Sequence, residues 1–240
     1  VTHSMDWLLI GLSLVAIVYV GLATIAQTDM KRLIAYSSIS HMGIVTLGLF
    51  MVYMIVGQSH DYNDAMISVQ GAVFQMVAHA FATGGLFIGV GYLHERFGTY
   101  MIDGLSGVAK ALPIFAVFMM LFSMSNVGLP GTAGFVGEFL VVISSFKAHI
   151  WIAVLAGLTL IIAPGYTLWF YKRVLFGKVK NQAVASGHDL SRLEILILGL
   201  LAVPVIFFGI YPAPILNISH ATTSHFVHHI MQVIPQGAYS

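Results

Sequence analysis

Five apolar stretches of this chain are each about the length of a membrane crossing and hold no Lys, Arg, Asp or Glu: 7–26, 33–56, 66–93, 150–171 and 196–211. That pattern constrains the fold more than any other feature. About 20 apolar residues cross a bilayer's hydrocarbon core as a helix. Inside lipid a backbone must satisfy its own hydrogen bonds, which leaves helices and closed barrels. Stretches this long and unalternating predict helices. The whole composition agrees: 58% of residues are hydrophobic and 8% are charged. A water-soluble domain usually carries about 25% charged residues.

A sixth stretch, 111–146, is 36 residues long and holds one acid, Glu138. As a straight helix it would extend roughly 54 Å, far more than one crossing needs. Its centre reads Gly128-Leu129-Pro130-Gly131-Thr132-Ala133-Gly134. Proline removes a backbone donor and the glycines remove helix preference. The expectation is one span made of two half-helices with a break near 128–134, followed by a short exit. Broken backbone at membrane depth is tolerated where it meets protein or water, and transporters build ion sites there. The expected fold is therefore all-α, a polytopic membrane bundle of about six helices, one discontinuous.

Charge distribution supports six crossings. With six, one side receives Lys31, Arg32, Arg96, Lys110, Lys172, Arg173, Lys178, Lys180 and Arg192, and the other only Lys147. The basic side is then cytoplasmic or matrix by the positive-inside bias. The net charge of +1 offers no basic surface for nucleic acid. The absence of cysteine excludes disulfides, thiolate chemistry and iron–sulfur ligation in this chain. The tail, with Ile215, Ile218, Phe226, Ile230 and Val233 among polar residues, reads as an amphipathic helix lying on the outer surface.

Ionisable groups inside a membrane are costly and mark function. Three fall at depth. Glu138 sits eight residues after Pro130, in the second half of the broken helix, where a carboxyl group is suited to take up and release protons; its rival role is a solvated helix-end acid. His79 shares a helix face with Gln75 and Thr83, spaced i, i+4, i+8, with Gly71, Ala78, Ala82 and Gly85 allowing close approach. His41 has Ser37, Ser38, Ser40 and Thr46 nearby. Each histidine could equally be a hydrogen-bonded packing residue. Lys31 and Arg32 read as anchors at a helix start. His220, His225, His228 and His229 in the tail complete no metal site, and Gly89 and Gly91 lie within a span and form no nucleotide loop. No metal or cofactor site is assigned to this chain.

Three segments carry a family resemblance: residues 27–43 (QTDMKRLIAYSSISHMG), residues 71–79 (GAVFQMVAH), and Gly128-Leu129-Pro130-Gly131 with Phe135-Val136-Gly137-Glu138-Phe139. Together they resemble the M-type, or chain 4, membrane subunits of proton-translocating NADH-quinone oxidoreductase, respiratory complex I. The resemblance implies a longer protein of about fourteen helices with two inverted repeats. This chain, which begins with Val1, would be a fragment holding roughly the last six: a second repeat over about 5–175, a last helix over about 193–211 and an outer tail over 212–240, in one transmembrane domain. It would lack the first repeat's Glu and Lys residues. Related antiporter-like subunits tend to carry Lys where Glu138 stands, so Glu points to the M type.

The resemblance implies that Glu138, His79 and His41 transfer protons. It implies that NAD, FMN, iron–sulfur clusters and quinone are bound by partner subunits, and that this chain is a non-redox, proton-pumping part of the enzyme. The partners would be other membrane subunits, the lipid bilayer and protons, in a bacterial cell membrane or a mitochondrial inner membrane. Rival readings are a subunit of a multi-subunit cation/proton antiporter or membrane-bound hydrogenase, a haem carrier using His41 and His79 as ligands, and a purely structural helix bundle.

Overall fold

The computed structural model describes residues 5–59, 61–179 and 182–234. Lys180 and residues 235–240 of the tail lie outside them. Eight longer helices form the bundle: α1 (Asp6–Ile25, with a wide π-turn over Ala16–Val20), α2 (Met30–Ser59), α3 (Tyr62–Phe97), α4 (Pro113–Asn126), α5 (Ala133–Ala148), α6 (Ile150–Val174), α7 (Arg192–Ile210) and α8 (Ala213–Val233). Helices α1, α2, α3, α6 and α7 are each long and apolar enough to cross a membrane. Helices α4 and α5 are the two halves of the discontinuous span.

Helix ends explain why the charge-free windows are shorter than the helices. Asp29 accepts a hydrogen bond from the Arg32 amide, so α2 starts before its charged pair Lys31 and Arg32. Asp61 caps α3 by accepting from the amides of Asn63 and Asp64. Ser191 and Glu194 form a reciprocal capping box at the start of α7. With these charged ends included, α3 reaches 36 residues, roughly 54 Å.

The break covers 127–132, with Gly128 at φ +75° and Gly131 at φ +93°, backbone angles that favour glycine. Ala133 and Gly134, expected in the break, already belong to α5. The expected exit segment is also absent. Helix α5 continues to Ala148, and α6 begins at Ile150. Helix α7 covers part of the break, since a side-chain carbon on Gly209 would collide with the backbone of Gly131 and Thr132. Within this chain Thr132 is buried, whereas Leu129, Pro130 and Gly131 are exposed.

The connections at the basic end are tied to one another. Asp29 pairs with Met101 across a backbone bridge. Arg96 meets Glu194 at 2.6 Å and donates to the His188 carbonyl. Arg173 pairs with Asp103. Asp189 reaches across to cap α4, accepting from the amides of Ile114 (2.8 Å) and Phe115 (3.2 Å). At the opposite end Lys147 meets Asp64 at 3.2 Å. Helix α8 is amphipathic, burying Thr223, Val227 and Ile230. It packs along α3, where the Tyr62 hydroxyl bonds Ser224 and the Tyr62 ring stacks on His228.

Candidate functional site

The site is built where α2, α3, α5 and α6 meet beside the break. Helices α3 and α5 approach closely because each offers glycine to the other. A side-chain carbon on Gly71 would strike Leu140 and Val141, and one on Gly137 would strike Gln75. This contact brings Gln75 against Glu138, the residue after Gly137. Packed half-helices supply the other wall: Gly134 lies against the Ser125 carbonyl at the end of α4.

Glu138 is 1% exposed. Its Oε1 lies 2.5 Å from His41 Nδ1 and accepts from Gln75 Nε2 at 3.0 Å. Its Oε2 faces Gly128 in the break, where an added carbon would stand 3.2 Å away. That oxygen and the Gln75 Oε1 are buried with no hydrogen-bond partner among the described residues. His41 is also 1% exposed. Its second ring nitrogen, Nε2, lies 3.0 Å from the Tyr166 hydroxyl. Both nitrogens are thus engaged, which leaves none to ligate a haem iron.

His79 stands at the edge of this cluster. Its ring centroid is 5.3 Å from that of His41, and its nitrogens lie 3.1 and 3.3 Å from the Thr83 hydroxyl. It is half-buried. The structure therefore brings Gln75, His79, His41 and Glu138 together from three helices. The other residues weighed in the sequence lie apart. Lys31 sits at the basic end over the Tyr100 ring. The tail histidines are on the exposed side of α8, and no group of three metal-ligating side chains occurs among the described residues.

Sequence reasoning does not single out Tyr166. A tyrosine five residues from the end of an apolar stretch reads as an interfacial anchor. The available signal is Pro164-Gly165 immediately before it, a pair unusual inside a helix.

Residues 1–163 match the family described as NADH:quinone oxidoreductase/Mrp antiporter, transmembrane. The chain belongs to that family. As a member of it, the chain is 39% identical over 216 residues to NADH-quinone oxidoreductase subunit M of Rhodobacter capsulatus. It is 38% identical over 209 residues to NADH-ubiquinone oxidoreductase chain 4 of Chondrus crispus. These alignments cover 90% and 87% of this chain and 40% of each relative, so the chain spans about 40% of the length of the curated relatives it matches. Among solved structures it superposes on a chain of respiratory complex I from Thermus thermophilus with a TM-score of 0.81 at 30% identity, covering 95% of this chain and 45% of that one. It superposes on a chain of an archaeal membrane-bound sulfane sulfur reductase with a TM-score of 0.76 at 25% identity, covering 97% and 45%. The all-α bundle is the fold of the complex I antiporter-like subunits.

Proposed function

We propose that this chain carries protons across the membrane as part of an M-type subunit of NADH:quinone oxidoreductase, with Glu138 as the principal carrier and His41 and His79 as its relay. The observation that supports this most directly is the buried contact between His41 and Glu138 beside the helix break. An acid and an imidazole in contact at membrane depth can pass a proton between them without exposing a charge to lipid. Glu138 Oε2 and Gln75 Oε1, buried acceptors without protein partners among the described residues, suit a wet pocket at the break.

The rest of the enzyme follows from this reading. NADH oxidation and quinone reduction, with NAD, FMN, iron–sulfur clusters and quinone, belong to partner subunits, and this chain is a non-redox part of the machine in one transmembrane domain. Its basic end faces the cytoplasm or the mitochondrial matrix.

A second reading is a cation/proton antiporter or another membrane-bound respiratory complex. It draws on the family's span and on the likeness to the sulfane sulfur reductase complex. The experiment is transport in sealed vesicles carrying the native assembly. Proton uptake driven by NADH, with quinone present and no sodium gradient, is the expected result. Uptake that requires a cation gradient and ignores NADH favours the second reading.

A further inference from the structure

We propose that Tyr166 is the positioning residue for the proton relay, holding His41 so that Nδ1 stays against Glu138. The inference rests on the proposed proton-carrying role of Glu138 and adds a residue to it.

Tyr166 is 1% exposed and is among the largest fully buried side chains in the molecule. Its hydroxyl stands 3.0 Å from His41 Nε2, on the far side of the ring from Glu138. The imidazole is therefore gripped at both nitrogens. One grip is an acid and the other a hydroxyl, and the choice of a hydroxyl has chemical content. A relay histidine passes through a neutral and a protonated form. Neutral, with its proton on Nδ1, it presents an acceptor at Nε2; protonated, it presents a donor there. A hydroxyl gives and accepts, so Tyr166 can hold the ring in the same place in both forms. A carbonyl could serve only the protonated form, and an amide N–H only the neutral one.

The residue next to Tyr166 ties this part of α6 to the break. Asn126 is the last residue of α4, immediately before the break, and its Nδ2 donates to Thr167 Oγ1 at 3.4 Å. Tyr166 thus holds His41 from a stretch of α6 that is itself bonded to the half-helix ending at the break. Pro164 lies inside α6 two residues earlier and provides no backbone donor, so the helix lacks one hydrogen bond just before Tyr166.

The test uses the whole complex, with Tyr166→Phe and Glu138→Gln made side by side. Two quantities are read: NADH-driven proton uptake per assembled complex, and the infrared carboxyl band assigned to Glu138 by its loss in Glu138→Gln. Tyr166→Phe keeps the ring and the volume. It is expected to assemble normally, to lower uptake by about threefold or more through misplacement of the relay, and to shift the Glu138 band. Unchanged uptake and an unmoved band in Tyr166→Phe, beside an inactive Glu138→Gln, would overturn the positioning role and leave Glu138 as the carrier. Loss of assembled complex in Tyr166→Phe would also overturn it, assigning the residue to packing. Normal uptake in Glu138→Gln would remove the underlying reading and this one with it.

Discussion

His41 Nδ1 and Glu138 Oε1 lie 2.5 Å apart, although 97 positions separate the two residues in the chain. They come from different helices, and both are almost fully buried. The contact depends on how closely α5 settles against α2 and α3, so a substitution that widens this approach should weaken proton transfer.

Gly137 is the tightest point. Alanine there would place its methyl carbon 2.6 Å from Gln75 Oε1 and 2.7 Å from the Gln75 Cα, which only a shift of α5 away from α3 relieves. Gly137→Ala is expected to destabilise the subunit by about 1–3 kcal/mol, the usual range for overpacking, and to lower proton uptake by moving Glu138. Gly84→Ala, on the same α3 but with nothing within 4 Å of the new carbon, should leave both unchanged. Thermal unfolding of the purified complex, followed by a probe on this subunit, compares the two. Equal melting behaviour would contradict the close-approach argument.

His79 touches the cluster through the His41 ring rather than through Glu138. His79→Ala removes a half-buried ring bonded to Thr83, so assembly should persist. Uptake should fall by about tenfold, less than the hundredfold or more typical of a group that transfers the proton directly, because His79 reaches Glu138 only through His41. Uptake equal to that of the unaltered protein would show His79 to be a packing histidine.

Asp189 steadies the first half-helix from a distant loop by accepting from two amides at the start of α4. Asp189→Ala should cost about 1–2 kcal/mol, as for other helix caps, while Asp189→Asn, which keeps an acceptor oxygen, should cost less. Protease sensitivity of the connection before α4 gives the readout. Identical digestion of both variants and the unaltered protein would reject the capping role.

Much of the bundle is legible in the sequence, because the continuous spans are long, apolar and free of charge over their centres, and because Gly128-Leu129-Pro130-Gly131 does not favour a continued helix. The ends are less legible. Asp29 and Asp61 cap helices whose first turns carry charge, so windows defined by charge stop short of both. The side-chain stripe Gln75, His79 and Thr83 can be read from spacing alone. Which partner each member meets cannot, since Gln75 bonds Glu138 whereas His79 bonds its own neighbour Thr83. Tyr166 is hidden for a related reason: its hydroxyl acquires a role only when α6 is folded against α2. The break's exact span is blurred because Ala133 and Gly134 follow the same small-residue pattern, yet the α5 start packs on Ser125 and stays helical.

The most direct measurement is NADH-driven proton uptake into sealed vesicles by the whole complex carrying Glu138→Gln, normalised to assembled complex. Glutamine keeps the size of the side chain and can still accept from Gln75, so assembly should be normal. Without an exchangeable carboxyl proton, uptake should fall to a small fraction of the unaltered value, with Glu138→Asp retaining part of it. Uptake by Glu138→Gln equal to that of the unaltered protein would contradict the assignment of Glu138 as the proton carrier.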